Sequence, residues 1–379
     1  MKKKVLAVLL CGCMAAGLIA GCGSKKEEAP KEDTSKEADA GSDAEGDKGG
    51  GYHFEVVVKS FQSSYWQAAV KGIEQAEEEL GVTANTTGPN NESDIADQVQ
   101  MLNSAIGKAP DGIALAACDQ NSVLEALQTA LDKKIPVVCF DSGVPDAPEG
   151  SVYATVVTNN GQAGAIAAEK IYDAVKDKIA KADKPVRIGE VNQDATSANI
   201  TERGMGFVNK FIELAEADGK KVAVVGNDYY VGKVEKNNDE KSADIIIEIA
   251  VPAQTTVELC STEAANIMNK DDTIAMFGSN QVSAEGLLTA NQNLNVLGSD
   301  ADAKIVAAGF DAGSTIKAAV ADKTLLGAVT QSPLMQGKLS IETLTKICNG
   351  EEVADIETDG YWYDSTNMDD PEISPNLYD

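Results

Sequence analysis

The chain of 379 residues contains a single histidine, His53. A Ser-His-Asp or Cys-His hydrolase needs an imidazole beside its nucleophile. His53 stands at the start of the first apolar run, a poor place for one, so these mechanisms are excluded. The seven cysteines include no C-x-x-C pair, and with no histidine cluster to join them a zinc site is excluded as well. No metal or cofactor is called for. Positive charge is also scarce: 32 Lys and Arg face 60 Asp and Glu, for a formal net charge of −28. Phosphate backbones are gripped by Lys and Arg, so nucleic acid is not the partner. Aromatics are few, at 5%, with only two tryptophans.

The one long apolar run lies at the front. MKKKVLAVLLCGCMAAGLIAGC has a basic start, an apolar middle and small residues before Cys22. This is the pattern of a secretory leader. The glycine-broken run 5–21 is short for a membrane span. Its end, Leu18-Ile19-Ala20-Gly21-Cys22, resembles a bacterial lipobox, cut before the cysteine whose sulfur then carries lipid. Residues 1–21 are therefore read as a lipoprotein signal peptide. Residues 22–51 follow as the lipidated cysteine and a flexible tether, too polar to fold. The body is placed outside the cytoplasm, lipid-anchored to the cell membrane, where two acyl chains hold what one would not.

From residue 54 onward, short apolar runs alternate with helical patterns. The first unit, 54–81, is a strand, a polar turn carrying Tyr65 and Trp66, and a helix closed by Gly81. Further runs are GIALAA (112–117), IPVVCF (135–140), VRIGEV (186–191), TIAMF (273–277), IVAAGF (305–310) and LLGAVT (325–330). Each except the last precedes a helical pattern. Alternation of this kind gives βαβ units and parallel sheets, an α/β fold. The stretch 222–250 breaks the rhythm with two strand runs and a lysine-rich connection, 227–244, read as an inserted strand or hairpin. Residues 359–379, with Tyr361, Trp362 and Tyr363, are expected to lie extended along the body. Cys118, Cys139, Cys260 and Cys348 are read as free thiols, although Cys118 and Cys139 fall on neighbouring strands that a disulfide would span.

Polar residues follow each strand: Ser63 with Tyr65 and Trp66, Asp119 to Asn121, Asp141-Ser142, Asn192 to Asp194, Asn280-Gln281, Asp311 and Gln331. Singly, each reads as a helix cap. Together they line the carboxyl edge of the sheets, where α/β proteins bind ligands. Carboxylates and amides with flat aromatic faces suit the hydroxyl rim and C–H faces of a sugar.

The segments SFQSSYWQAAVKG, IPVVCFDSGV, TERGMGF, FGSNQ, GFDAG and TQSP resemble the ribose/galactose-type periplasmic binding proteins, the type I solute-binding components of ABC sugar importers. The resemblance runs from about residue 52 to 360. It implies two Rossmann-like lobes with parallel sheets, joined by a three-strand hinge. The first lobe is then 52–157 plus 332–358, and the second is 158–331 plus the tail 359–379. The implied ligand contacts are Ser63, Tyr65, Trp66, Asp141, Ser142, Thr201, Asn280, Asp311 and Gln331. Ser142 and Thr201 stand where ribose and galactose binders often have arginine, so two guanidinium forks are missing. The implied partners are a sugar or polyol ligand and ABC permease subunits, with the protein itself a monomer. Two rival readings remain open. One is a sensor subunit for a chemoreceptor or histidine kinase. The other is a glycosidase using Asp141 and Asp311, which would consume a sugar that a binding protein returns unchanged. A repressor of this fold is excluded by the leader and by the lack of a helix-turn-helix.

Overall fold

A computed structural model of the protein describes residues 51–300 and 302–378. The leader, Cys22 and all but the last residue of the tether lie outside the described residues.

The first lobe is built by β1 (His53–Val57), α1 (Ser64–Leu80), β2 (Thr83–Thr87), α2 (Ile95–Gly107), β3 (Gly112–Leu115), α3 (Leu124–Asp132), β4 (Val137–Phe140) and β5 (Val152–Thr158). Its sheet has six parallel strands, including a late one, β13 (Ile356–Thr358), in the order β13-β5-β4-β3-β1-β2. The second lobe comprises α4 (Asn160–Lys181), β6 (Val186–Val191), α5 (Ala198–Ala217), β7 (Val222–Gly226), α6 (Asp228–Lys233), β8 (Ile245–Ala250), α7 (Val257–Met268), β9 (Thr273–Gly278), α8 (Gln281–Leu294), β10 (Leu297–Gly298), β11 (Ile305–Phe310), α9 (Ser314–Ala321) and β12 (Gly327–Thr330). Together with β14 (Tyr361–Tyr363), its strands run β14-β12-β11-β9-β6-β8-β7, with β10 beside β11. Only β14 is antiparallel, against β12.

The fold is thus α/β with two parallel sheets, as the alternation of strand and helix patterns predicts. Strands β3, β4, β6, β11 and β12 are buried along their whole length. That explains their unbroken apolar character, since helices cover both faces of a parallel sheet. The chain passes between the sheets three times, just after β5, after β12 and after β13.

Two expectations are corrected. The strand β12 is followed by a helix, α10 (Pro333–Cys348), which starts with proline at its first turn and packs on α1 in the other lobe. And β7 and β8 form no hairpin: they pair in parallel, with Val222 opposite Ile245. The polar connection leaves room for α6 and then returns along the edge strand. There the Asn237 side chain bonds both the N–H and the C=O of Val224 at 2.8 Å. Side-chain amides so cover a sheet edge that would otherwise be open to pairing.

Helices α4 and α5 meet closely because glycines sit at their crossing. A Cβ on Gly164 would lie 2.0 Å from the Arg203 carbonyl, and one on Gly206 would lie 2.2 Å from that of Gly161. This fixes the depth of α5, the helix that feeds the site. Cys118, Cys139 and Cys260 are buried outside any disulfide, and Cys348, half-buried and likewise in no disulfide, donates its thiol to the Asp111 carbonyl at 3.4 Å. Burial pushes the Cys118 thiol well above its ordinary range and Cys139 and Cys260 up to about 12, so none of these three is a reactive thiolate.

Candidate functional site

The two lobes carry the same device. Strand β4 ends in Phe140-Asp141 and β11 ends in Phe310-Asp311. Both aspartates turn the chain with a left-handed φ, +60° and +72°, a conformation aspartate tolerates better than most residues. Both are pinned by their own N–H: Asp141 donates to the Val156 carbonyl at 3.0 Å, and Asp311 to that of Val329 at 2.7 Å. The carboxylates are thereby aimed from opposite lobes at one cavity.

On the first lobe, Asp141 Oδ1 accepts the Tyr65 hydroxyl at 2.6 Å. Its Oδ2 accepts Lys59 Nζ and Asn199 Nδ2, both at 3.0 Å. Lys59 also donates to Asn199 Oδ1 at 3.0 Å. Asn199 belongs to the second lobe, so this triangle crosses the cleft. Burial works against a charged lysine, yet Asp141, with Glu92 and Asp194 beyond it, holds the Lys59 amine above its ordinary range. Trp66 meets Tyr65 edge-on at 5.0 Å and gives its indole N–H to Glu92 Oε1 at 2.8 Å. Burial raises Glu92 as well, against the pull of Lys59. Its other oxygen accepts Gln193 Nε2 of the second lobe at 2.8 Å.

On the second lobe, Asp311 accepts Gln331 Nε2 and the Gln281 backbone N–H, each at 2.8 Å. Burial pushes its carboxyl up, opposed by the charge of Arg203. Tyr363, from the tail, donates to the Asp311 carbonyl at 2.7 Å and so braces the turn. Arg203 lies over the Phe310 ring at 3.6 Å and donates to Ser279 O and Asn160 Oδ1. Asn280 serves two ends at once. It caps α8 by accepting from Ser283 N, and its amide nitrogen reaches Gln193 Oε1.

Of the nine residues read from sequence, seven line this cavity: Ser63, Tyr65, Trp66, Asp141, Asn280, Asp311 and Gln331. Two are placed elsewhere. The Thr201 hydroxyl bonds back to Ser197 O and Ala198 O of its own helix. It lies two residues from both Asn199 and Arg203, which are one helical turn apart on the cavity face, so it is turned away from them. Ser142 is buried beyond the turn, outside the lining, with its hydroxyl unpaired. Sequence reasoning missed Lys59, Glu92, Asn199 and Arg203. Lys59 supplies a cation beside Asp141, where the family's arginine is absent from position 142. The i, i+4 pair Asn199 and Arg203 was a readable signal for one helix face.

The hollow among these groups is about 30 Å³, room for roughly two waters. Further bonds close the lobes over it, including Asn91 Nδ2 to Thr255 O at 2.9 Å and Gln120 N to Thr196 O at 3.2 Å. This is the shut form of a two-lobed clamp. Its polar groups bond to one another across the closed cleft, in a class of protein that takes a small solute between hinged halves.

Comparison with known proteins agrees. Residues 54–352 match the model of the periplasmic binding protein domain, and the chain belongs to that family of non-enzymatic solute-binding proteins. It is 25% identical over 298 residues to the ribose import binding protein of Bacillus subtilis, covering 79% of this chain and 82% of that one. Among solved structures, an ABC transporter solute-binding protein from Agrobacterium vitis with bound D-fucose is 26% identical. Its TM-score is 0.70, over 86% of this chain and 100% of that one. A Brachyspira murdochii protein described as an ABC transporter and LacI family transcriptional regulator is 32% identical. There the TM-score is 0.71, over 87% and 99%.

Proposed function

We propose that the protein is an extracytoplasmic substrate-binding lipoprotein of an ABC transporter. It closes on a monosaccharide or sugar-like polyol and delivers it to membrane permease subunits. One observation carries the reading: Asp141 and Asp311 converge from separate lobes, with Tyr65, Trp66 and a set of amides, on one cavity. Carboxylates accept sugar hydroxyls in strong charge-assisted bonds, and aromatic rings meet the C–H faces. The ribose import relative and the fucose-bound relative support the same ligand class. Ligand exchanges the internal bonds of the shut cavity for its own hydroxyls, and closure is favoured only by contacts that the closed state makes.

A thermal-shift panel of pentoses, hexoses and inositols tests this. At a concentration about a hundredfold above Kd, the bound sugar adds about 2.7 kcal/mol to stability. The shift is expected for wild type and absent for Asp311→Ala. A panel with no response, or a full response in the variant, would reject the site.

The lipid anchor rests on the leader pattern, and its test is cell fractionation. Cys22→Ala is expected to move the protein from the membrane to the soluble fraction. Retention on the membrane would count against an acylated cysteine.

A further inference from the structure

A second hollow opens off the site. Its volume is about 400 Å³ against about 30 Å³ for the inner one, and small-molecule sites commonly run from roughly 300 to 1,000 Å³. The two share Ser63, Glu92, Gln281 and Val282 as common wall, so the outer space borders the inner one. We propose that this outer hollow is a second sugar subsite, and that the monosaccharide held inside is one unit of a neutral disaccharide or glycoside. This rests on the sugar-binding reading above.

Three observations carry it. Both lobes build the hollow, the first through Ser60 and Asn90 and the second through Thr255 and Val257. The lobes are already shut around it: Asn91 donates to Thr255 O, and Thr255 N donates to Ser93 Oγ at 2.6 Å. The shut form, whose inner hollow has room for roughly two waters, therefore still keeps this space open. The lining also selects by charge. Among the described residues, the twelve that line it include hydroxyls, amides and the carboxylates Glu92 and Glu285, and none is Lys, Arg or His. Such a wall accepts hydrogen bonds from sugar hydroxyls and repels phosphates and uronates.

The experiment is isothermal titration of the full chain with each monosaccharide that responds in the panel and with disaccharides that contain it. For galactose these are lactose and melibiose; for glucose, cellobiose, maltose and trehalose. Two blocking variants, Val257→Trp on the second lobe and Asn90→Trp on the first, fill the outer hollow from opposite sides without touching the inner contacts. The expected result is a disaccharide that binds about tenfold tighter than its monosaccharide or better. Either blocking variant should remove that gain and leave monosaccharide affinity unchanged. Should one variant fail to fold, the other reads the same space. Disaccharides that bind no tighter, or a gain that survives the block, would overturn the outer subsite while leaving the sugar-binding reading intact. A variant that weakens both sugars equally would overturn it too. If no monosaccharide or disaccharide binds, the sugar-binding reading itself fails.

Discussion

Asp141→Ala is expected to cost about 3–5 kcal/mol of unfolding free energy, because it strands a buried lysine. Lys59 is 2% exposed and has Asp141 as its only ion-pair partner within 4.0 Å among the described residues. Removing the carboxylate leaves the ammonium with the Asn199 amide alone, leaves the Tyr65 hydroxyl only its 3.2 Å bond to Gln336 Oε1, and unpairs one Asn199 amide hydrogen. A urea titration reads the loss as a lower midpoint at unchanged slope. The double variant Lys59→Met/Asp141→Leu separates charge from packing. Replacing a buried ion pair by apolar groups of similar size is often neutral or stabilising. The double variant is therefore expected to recover more than half of the loss while still failing to bind sugar. A single variant as stable as wild type would mean that Lys59 is not held as an ion in the folded protein.

The second large effect concerns Glu190, the last but one residue of β6. Neither of its carboxylate oxygens has a hydrogen-bond partner, and the amide of Asn192 nearby is also unpaired. Burial raises its pKa from 4.5 to about 8. Between these two values the folded chain holds a proton that the unfolded chain has released. Stability contributed by this group is therefore complete below about 4.5 and declines as pH rises toward 8, by roughly 1.4 kcal/mol per pH unit. Glu190→Gln keeps the shape and removes the titration. The stability difference between variant and wild type is expected to grow in favour of the variant from pH 5 to pH 8, measured by urea unfolding at each pH. Taking the difference cancels the many surface carboxylates of this acidic chain. A pH-independent difference would show that Glu190 is not buried as a neutral acid.

How much of this was legible beforehand follows from the kind of signal each residue carries. The alternation of apolar runs and helical spacing gave the α/β class because parallel strands covered on both faces have to be apolar throughout. Asp141 and Asp311 stood out as acids ending such runs. Lys59 did not, since a lysine after three valines reads equally as the solvated end of a strand. Glu92 sits in a loop of Asn, Ser and Asp whose turn bonds mask it: Asn91 and Asp94 do use their side chains that way. Thr201 was misplaced because family position carried it over, whereas the phase of α5 is set by packing, through Gly164 and Gly206 on its far side. The parallel pairing of β7 and β8 was hidden because a connection of this length serves a hairpin loop or a crossover equally well in sequence.

The smallness of the inner hollow has a kinetic consequence. A sugar cannot thread into a space of about 30 Å³, so the shut form is not the one it meets. Only molecules that have broken the Lys59–Asn199 and Glu92–Gln193 bonds can capture it, and the measured affinity is diluted by the fraction of time they spend apart. Raising the sugar concentration therefore speeds capture only up to a ceiling, the frequency with which the empty clamp unlatches itself.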